Sequence, residues 1–503
     1  MNERLPPSDA ALAAIDMGSN SFRLEIGQLQ RGRYRRIDYW KETVRLGAGL
    51  DANAMLTEEA AVRGLDCLAR FAGHLAGLPA VQVRAVATQT LREARNRDAF
   101  LQRAEAALGH AIEVISGREE ARLIYAGVAH LQPSDAPRLV VDIGGRSTEL
   151  ILGRGREPTL AESFGVGSVS LSLRHFADGQ LTTEAFRQAQ IAAGAELEEA
   201  LQPFAPRHWD EALGSSGTAG AVSQLLAASS VTDGRITAEG LRWLIGRCIA
   251  AGHIDRLELP GLKEDRRAVI AGGVAILYTL AVQFGVTTLL PAKGALRQGV
   301  IIDLHQRIEG RRRGGDVHDL RDDSVRDLQR RFNVDTVQAA RVRDVALALA
   351  SGSPRSDDAD DAARELEWAC ALHELGMMVS HHDHHRHSAY LLSHVDAPGF
   401  SQSQLRHLAS VVLGQRGGLR KIEAALASEA VAWQVLALRL AVIKCHARDA
   451  VDANALTLER DGRHARLRFT ADWAASHPRA LYLLQQEAQV WARSGVLELV
   501  LPN

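Results

Sequence analysis

A stretch that occurs twice constrains this chain more than any other feature. Residues 14–28 and 140–154 each read as an apolar strand, Asp-x-Gly, a short turn rich in glycine and serine, and a second apolar run. Each copy predicts a β-hairpin whose tip offers backbone amides, small hydroxyls and one acid. The overlay brings together Asp16 with Asp142, Gly18 with Gly144, Ser21 with Ser147, Leu24 with Leu150, and Gly27 with Gly153.

The tips of two such hairpins would clasp a phosphate and a divalent cation between them. Gly144 and Gly145 lack a β-carbon, so their backbone amides can approach a phosphate closely. Asp16 and Asp142 provide hard oxygen ligands of the kind that Mg²⁺ prefers. The neutral donors of the two tips are Ser19, Asn20, Ser21, Ser147 and Thr148. The alternative, an incidental pair of hairpin turns, is disfavoured by the length of the match.

Two further segments carry candidate anion ligands. Gly214–Gly220 is a loop of small residues before a predicted helix, and helix N-termini suit anions, so Gly217 and Thr218 are candidate phosphate contacts. The same loop alone is equally typical of a packing turn. Arg92 follows a predicted strand and would fork onto phosphate oxygens, or would be an ordinary solvated arginine.

The sequence Ser116–Glu120 predicts the start of a helix. Ser116 would cap the helix and Glu119 would reach back to the cap amide, which leaves Glu120 free. A carboxylate at this position would activate a water near bound phosphate. Taken alone, the residues favour the simpler interpretation, in which Glu120 only complements the helix dipole.

The order of predicted elements indicates a duplicated α/β architecture followed by helices. Strands and helices run β-β-β-α-β-α before the second hairpin restarts the pattern. A charged, glycine-rich linker is predicted at 307–316, and the chain beyond it has helical periodicity until a hairpin signal at Asp461-Gly462. The predicted domains are 10–126, 127–308, a helical domain at 316–450 and a small α+β domain at 451–503.

Composition and net charge limit the partners and the cellular location that we expect. A chain of 503 residues exceeds a single core, and a net charge of -2 gives no general attraction to nucleic acid, so we expect no nucleic-acid partner. The 4 cysteines have no metal-type or disulfide-type spacing, and neither a signal peptide nor a membrane-spanning run is found. We therefore expect a cytoplasmic protein and leave peripheral attachment to the inner membrane face open. The tract His381–His387 is interpreted as a polar loop between helices rather than a metal site.

Several motifs taken together resemble the exopolyphosphatase / guanosine pentaphosphate phosphatase family. The similarity covers nearly the whole chain and rests on Ala14–Phe22, Thr88–Arg92, Ile115–Ile124, Val141–Glu149, Gly214–Thr218, Gly294–Gly299, His373–Gly376 and His385–Tyr390. The resemblance implies two actin-like ATPase (ribonuclease H-like) domains with the active site between them. It also implies a helical domain related to HD hydrolases, a small terminal domain and a homodimer.

The resemblance also implies roles for individual residues. Glu120 matches the family's general base, and Asp142 matches the metal-binding acid, with Glu149 close by and Asp16 as a further candidate ligand. Phosphate-contacting positions match Asn20, Arg92, Gly144 and Gly145. The implied cofactor is Mg²⁺, with K⁺ as an activator.

The chain departs from the family pattern at three places. Arg146 stands where the family usually has a third glycine, and would either bind phosphate or obstruct the loop. Ala292-Lys293 replaces a Ser-Asp or similar pair. His373-Glu374 replaces the His-Asp of true HD enzymes, so we assign no second hydrolytic centre there.

The leading hypothesis is an exopolyphosphatase that removes orthophosphate processively from inorganic polyphosphate with Mg²⁺ and Glu120. The alternative substrate is guanosine pentaphosphate (pppGpp), which would lose its 5′-γ-phosphate by the same chemistry. A third hypothesis is a non-catalytic polyphosphate- or nucleotide-binding sensor, inactivated by Arg146.

Overall fold

The structure is a computed structural model that describes residues 7, 9–312, 319–351 and 359–502. The chain divides into two compact units, Leu5–Val317 and His318–Asn503. The boundaries of the four predicted domains stay predictions.

The first unit is a mixed α/β structure. Its strands are β1 Leu12–Met17, β2 Phe22–Gln30, β3 Arg33–Glu42, β4 Val83–Ala87, β5 Ile112–Val114, β6 Arg138–Ile143, β7 Thr148–Arg154, β8 Glu157–Phe164, β9 Glu211–Ser215 and β10 Leu289–Pro291. Its helices are α1 Glu58–His74, α2 Gln89–Glu93, α3 Arg97–Leu108, α4 Gly117–Leu131, α5 Ser168–His175, α6 Thr183–Leu197, α7 Ser216–Ala228, α8 Ala238–Ala251, α9 Glu264–Arg267, α10 Ile270–Gln283 and α11 Leu296–Arg312.

The two halves of this unit repeat one sheet topology. The first sheet has the order β3-β2-β1-β4-β5, and the second has the order β8-β7-β6-β9-β10. In both sheets the first three strands are antiparallel and the last two join them in parallel. The shared order confirms the predicted duplication and the ribonuclease H-like, actin-like fold class.

The central strands are buried on both faces, so they are apolar almost throughout. On β1, Ala13 and Ile15 pack into the core of the first sheet, whereas Leu12 and Ala14 point into a middle layer. This middle layer also receives Val140 of β6 and apolar residues of α4 and α11. Because α4 lies in a layer that both sheets share, its N-terminus is held close to the tips of both hairpins.

The second unit is mainly helical and carries a small sheet. Its helices are α12 Leu320–Arg331, α13 Thr336–Ala350, α14 Ala359–Leu372, α15 His384–His394, α16 Gln402–Gly414, α17 Glu429–Lys444, α18 Ala471–Ser476 and α19 Pro478–Ser494. The strands β11 Thr457–Asp461, β12 His464–Arg468 and β13 Glu498–Val500 form the sheet in that order. The turn at Asp461-Gly462 connects β11 to β12, as predicted.

Two local predictions are corrected by the structure. Arg307–Arg312 continue helix α11 and are not a linker, because Arg307 is held by Asp303 one turn earlier at 2.7 Å; residues 313–316 lie outside the described residues. The tract His381–His387 is not entirely a loop, since α15 begins at His384. Across the described ranges, none of the helices combines the length and apolar content that crossing a membrane requires.

Candidate active site between two hairpins

The two hairpins have one backbone register but place different charges opposite their acids. On β6 and β7, Asp142 is the register partner of Glu149. On β1 and β2, Asp16 is the register partner of Arg23, and Arg23 donates to its carboxylate at 3.2 Å. Directly opposite residues of antiparallel strands share one face of the sheet. The second hairpin therefore presents two carboxylates together, whereas the first presents an ion pair.

Helix α4 brings the candidate base to this place. Ser116 caps the helix by accepting from the Glu119 amide at 3.2 Å, as the sequence predicted. The prediction that the Glu119 carboxylate reaches back to the cap amide is wrong, because that carboxylate binds Arg122 through two hydrogen bonds of 2.8 Å. Glu120 instead accepts from Arg92 at 2.8 Å and is almost completely buried.

Burial and mutual repulsion raise the pKa of Glu120, Asp142 and Glu149. Burial raises the pKa of Glu120 to about 7, with Asp16 and Asp142 adding to the rise and Arg92 opposing it. The pKa of Glu149 lies well above its ordinary value because of burial and the charges of Glu120 and Asp142. Burial also raises the pKa of Asp142, against hydrogen bonds from Ser215 and Ser216. A concentration of buried acids with perturbed pKa values is typical of a functional site.

These acids fit a magnesium ion whose remaining ligands would come from substrate and water. Among the described residues, no three His, Cys, Asp or Glu side chains form a ready metal cluster. Mg²⁺ is commonly held by one or two carboxylates together with waters and substrate phosphates. Asp142 and Glu149 are such a pair, and a cation would relieve the repulsion that raises their pKa values. Asp16 is engaged differently, because its Oδ2 also accepts from Arg297 at 3.4 Å.

The tip of the first hairpin carries polar atoms that fit a phosphate group. Asn20 Nδ2 and Ser21 Oγ are buried and have no hydrogen-bond partner within the described part of the chain. Ser19 Oγ accepts from Thr90 at 2.8 Å. Buried polar groups of native proteins are rarely left unpaired, so two at one tip indicate a ligand.

The tip of the second hairpin faces the first. A β-carbon on Gly145 would lie 3.0 Å from Ser19 Cβ and 3.5 Å from the Asn20 amide, so the two tips are in direct contact. Gly144 donates its amide to the Ser147 carbonyl at 2.9 Å and thereby closes the turn. The Ser147 hydroxyl bonds to Glu149 and lowers its pKa. The structure therefore brings the predicted residues of both tips to one place.

The loop before α7 lies beside Asp142. Ser215 is the register partner of Asp142 on the neighbouring strand, and Thr218 donates to the Ile143 carbonyl at 2.8 Å. A β-carbon on Gly217 would lie 2.1 Å from an amino nitrogen of Arg266. Gly217 thus lets the Arg266 guanidinium lie against the start of α7, and burial lowers the pKa of Arg266.

Arg146 does not point freely into the site. Its guanidinium donates to Glu93 at 2.6 and 3.0 Å and to the Gly47 carbonyl at 3.1 Å. It therefore connects the second hairpin to the first half of the unit. Lys293, from the second departure, is exposed.

Sequence reasoning missed three arginines of the site. Arg23 occupies the hairpin position that Glu149 occupies in the second copy, so the overlay of the two copies was a sufficient signal. Arg297 belongs to the motif Gly294–Gly299, but nothing in that motif indicates its partners Asp16 and Glu25. Arg266 had no sequence signal.

The helical unit contains buried histidines, and burial lowers their pKa values. His373, His384 and His385 are buried, and burial lowers the pKa of His384 and of His385 to about 4. Glu374, which stands at the acid position of HD enzymes, binds Arg448 through one oxygen. A second hydrolytic centre is not proposed for this unit.

Comparison with known proteins identifies the family. Residues 28–308 match the profile described as the Ppx/GppA phosphatase family, and residues 320–488 match its domain III. The chain belongs to the Ppx/GppA phosphatase family. It is thus an enzyme of the phosphatase class, with the fold that the sequence predicted.

Two relatives match along almost their full length. A guanosine-5′-triphosphate,3′-diphosphate pyrophosphatase of Pseudoalteromonas translucida is 37% identical over 499 residues, covering 98% of each chain. The enzyme of the same name from Aeromonas hydrophila is 36% identical over 474 residues, covering 92% of this chain and 93% of its own. A solved exopolyphosphatase-like protein is 26% identical, with a TM-score of 0.54 over 60% of this chain and 99% of its own.

Proposed function

We propose that this enzyme removes the terminal 5′-phosphate of pppGpp. The names of the two near full-length relatives support this substrate over inorganic polyphosphate, which the sequence had placed first. The observation that carries the chemistry is Glu120, a buried carboxylate whose pKa of about 7 is influenced by acids of both hairpins. A base of that pKa is well matched to accepting a proton near neutral pH.

The residues would divide the reaction between them. Glu120 would accept a proton from the attacking water, and Arg92 would fix its orientation through the 2.8 Å hydrogen bond. The tip residues Asn20 and Ser21 would donate to oxygens of the terminal phosphate. Such catalysis of phosphoryl transfer depends on positioning and on stabilising charge.

Asp142 and Glu149 would hold Mg²⁺. When bound, Mg²⁺ would offset the negative charge of the phosphate chain. K⁺ activation and a homodimer are part of the same proposal and rest on family resemblance.

Polyphosphate is the second candidate substrate. The structural match to an exopolyphosphatase-like protein supports it, because that protein has the same fold over nearly its whole length. Both substrates end in a phosphoanhydride, so the residues around the terminal phosphate would serve either one.

Phosphate release from pppGpp and from long-chain polyphosphate, each with Mg²⁺ or with EDTA, tests the proposal. We expect the larger kcat/KM for pppGpp, a requirement for Mg²⁺, and a loss of about a thousandfold in Glu120→Gln. Glu119→Gln is the matched control, because its carboxylate is directed to Arg122, and it should retain most turnover. Binding of both compounds without any release would instead identify a non-catalytic sensor.

A further inference from the structure

A continuous chain of hydrogen bonds connects the second hairpin to the candidate base. Arg146 donates to one carboxylate oxygen of Glu93, and the Gln89 amide group donates to the other at 2.6 Å. The Gln89 carbonyl oxygen accepts from Arg92 at 2.6 and 2.9 Å. Arg92 in turn donates to Glu120 at 2.8 Å.

Each member of this chain fixes the orientation of the next. The Gln89 side chain receives two bonds at its oxygen and gives one from its nitrogen, so a flipped amide would lose all three. The Arg92 guanidinium is held at three sites, by Gln89, by the Ile115 carbonyl and by Glu120. Donation by both Nε and a terminal nitrogen to the Gln89 oxygen fixes the plane of the Arg92 guanidinium.

Arg146 is the one member of this series of hydrogen bonds that belongs to the second half of the unit. The Glu93 carboxylate is 31% exposed and accepts from both Arg146 and Gln89, so Arg146 fixes the position of the group that orients Gln89. Arg146 makes this contact from the tip of the second hairpin, next to Gly145, which approaches the first hairpin. The contact can form only when the two hairpin tips are together.

We propose that Arg146 is a positioning residue, which acts through Glu93 and Gln89 to hold Arg92 against Glu120 when the two hairpin tips meet. This inference rests on the proposed role of Glu120. It gives the departure from the family's glycine a function other than phosphate binding or obstruction.

Kinetics of Arg146→Gln and Gln89→Leu test the proposal. Each variant should lower kcat for phosphate release about tenfold with KM nearly unchanged, because a small misplacement of catalytic groups mainly slows the chemical step. The double variant should be no slower than the slower single variant, since both break one chain. Arg146→Lys keeps the charge on Glu93 and should recover part of kcat.

Lys41→Gln is the matched control. Lys41 pairs with Asp265 across the same two halves at 2.7 Å, with side-chain exposure of 26% and 30%, close to the 22% and 31% of Arg146 and Glu93. It touches no member of the chain, so kcat should stay near that of the wild type. If Lys41→Gln lowered kcat as much as Arg146→Gln, Arg146 would only be one of several contacts that hold the two halves together. That result would overturn the proposal.

A readout independent of turnover separates this proposal from the proposed function. The Arg92 Nε–H donates to Gln89 and its side chain is 11% exposed, so its NMR signal should exchange slowly with solvent. The signal, assigned by its loss in Arg92→Lys, should exchange faster in Arg146→Gln and be unchanged in Lys41→Gln.

These measurements distinguish failure of the positioning role of Arg146 from failure of the proposed hydrolysis. Faster exchange in Arg146→Gln with no phosphate release by the wild type would support the hydrogen-bond chain and refute the proposed hydrolysis. Unchanged exchange, or a rise in KM with kcat retained, would make Arg146 a phosphate ligand and overturn the proposal.

Discussion

The two hairpins have kept one backbone and acquired opposite electrostatics. Both interrupt their outer strand register at the same glycine, between Ile26 and Gly27 in one copy and between Leu152 and Gly153 in the other. At the position opposite the shared aspartate, the first copy has Arg23 and the second has Glu149.

This single difference assigns distinct work to the two copies. In the first hairpin, Asp16 is neutralised by Arg23 and Arg297, so the tip can offer neutral donors to an anion without repelling it. In the second, Asp142 and Glu149 have raised pKa values and no ion pair of that kind among the described residues. On the proposed function, the first hairpin would therefore hold the phosphate and the second would hold the cation.

The largest expected effect separates the two aspartates. Asp142→Asn should lower kcat/KM about a thousandfold, because on the proposed function it removes a ligand of Mg²⁺ and with it several kcal/mol of charge stabilisation. Asp16→Asn should keep at least ten times more activity than Asp142→Asn, since its partners are arginines. Phosphate release at saturating Mg²⁺ measures both, and equal losses would show that the two hairpins share metal binding.

A second expected effect concerns stability and pH. The pKa of Glu120 is about 7 in the folded chain and 4.5 in its ordinary state, so between these values the folded state binds a proton that the unfolded state lacks. The free energy of unfolding therefore falls as pH rises from about 4.5 to 7, by up to about 3 kcal/mol for this one group. Glu120→Gln removes the buried charge and should raise Tm at pH 8. The gain is reduced by the stabilisation that the hydrogen bond from Arg92 gives to the wild-type carboxylate.

Thermal unfolding of both proteins at pH 8 and pH 5 checks this expectation. The gain in Tm should be a few degrees at pH 8 and should shrink at pH 5, where the wild-type carboxyl is largely protonated. Added Mg²⁺ should narrow the gap at pH 8. A Tm difference independent of pH would mean that the Glu120 carboxylate is not penalised by burial.

A third effect uses the register pair that distinguishes the hairpins. Glu149→Gln should raise the Mg²⁺ concentration for half-maximal activity about ten- to a hundredfold. Arg23→Gln, at the same position of the first hairpin, should leave that concentration near its wild-type value. Titration of phosphate release with Mg²⁺ compares them, and a similar shift in both variants would contradict the assignment of the cation to one hairpin.

The sequence predicted the parts of this structure that local pattern determines. The duplicated Asp-x-Gly hairpin, the Ser116 helix cap and the Asp461-Gly462 turn each depend on neighbouring residues, and each forms as predicted. The family resemblance, and not any local pattern, singled out Glu120.

Partners that come from distant segments could not be predicted. Nothing near Arg146 in the sequence indicates Glu93, and nothing near Arg297 indicates Asp16, because these pairs form only when the two halves pack together. The linker prediction was wrong at Arg307–Arg312 for a similar reason. Its charge and glycine content indicated a linker, whereas Arg307 joins Asp303 in a buried ion network with Arg84 and Arg122.

The smallest effect compares the two bulge glycines. A β-carbon on Gly153 would lie 2.2 Å from Tyr125 Cζ, and one on Gly27 would lie 2.5 Å from the Tyr34 hydroxyl oxygen. Tyr125 is fully buried in the middle layer, whereas Tyr34 on β3 is only partly buried against that layer, so the Tyr34 ring has more room to shift. Overpacking in a core costs about 1–3 kcal/mol, and we expect Gly153→Ala near the upper end and Gly27→Ala near the lower.

Urea unfolding midpoints of the two alanine variants measure this difference. A smaller midpoint for Gly27→Ala than for Gly153→Ala would reverse the expected order and would mean that the bond from Tyr34 to Glu25 holds its ring as firmly as burial holds Tyr125. The two glycines occupy the same position of a repeated hairpin. The difference in stability between the two variants therefore reports how firmly each neighbouring tyrosine ring is held. The backbone has been preserved in both copies, and only the surroundings set the cost.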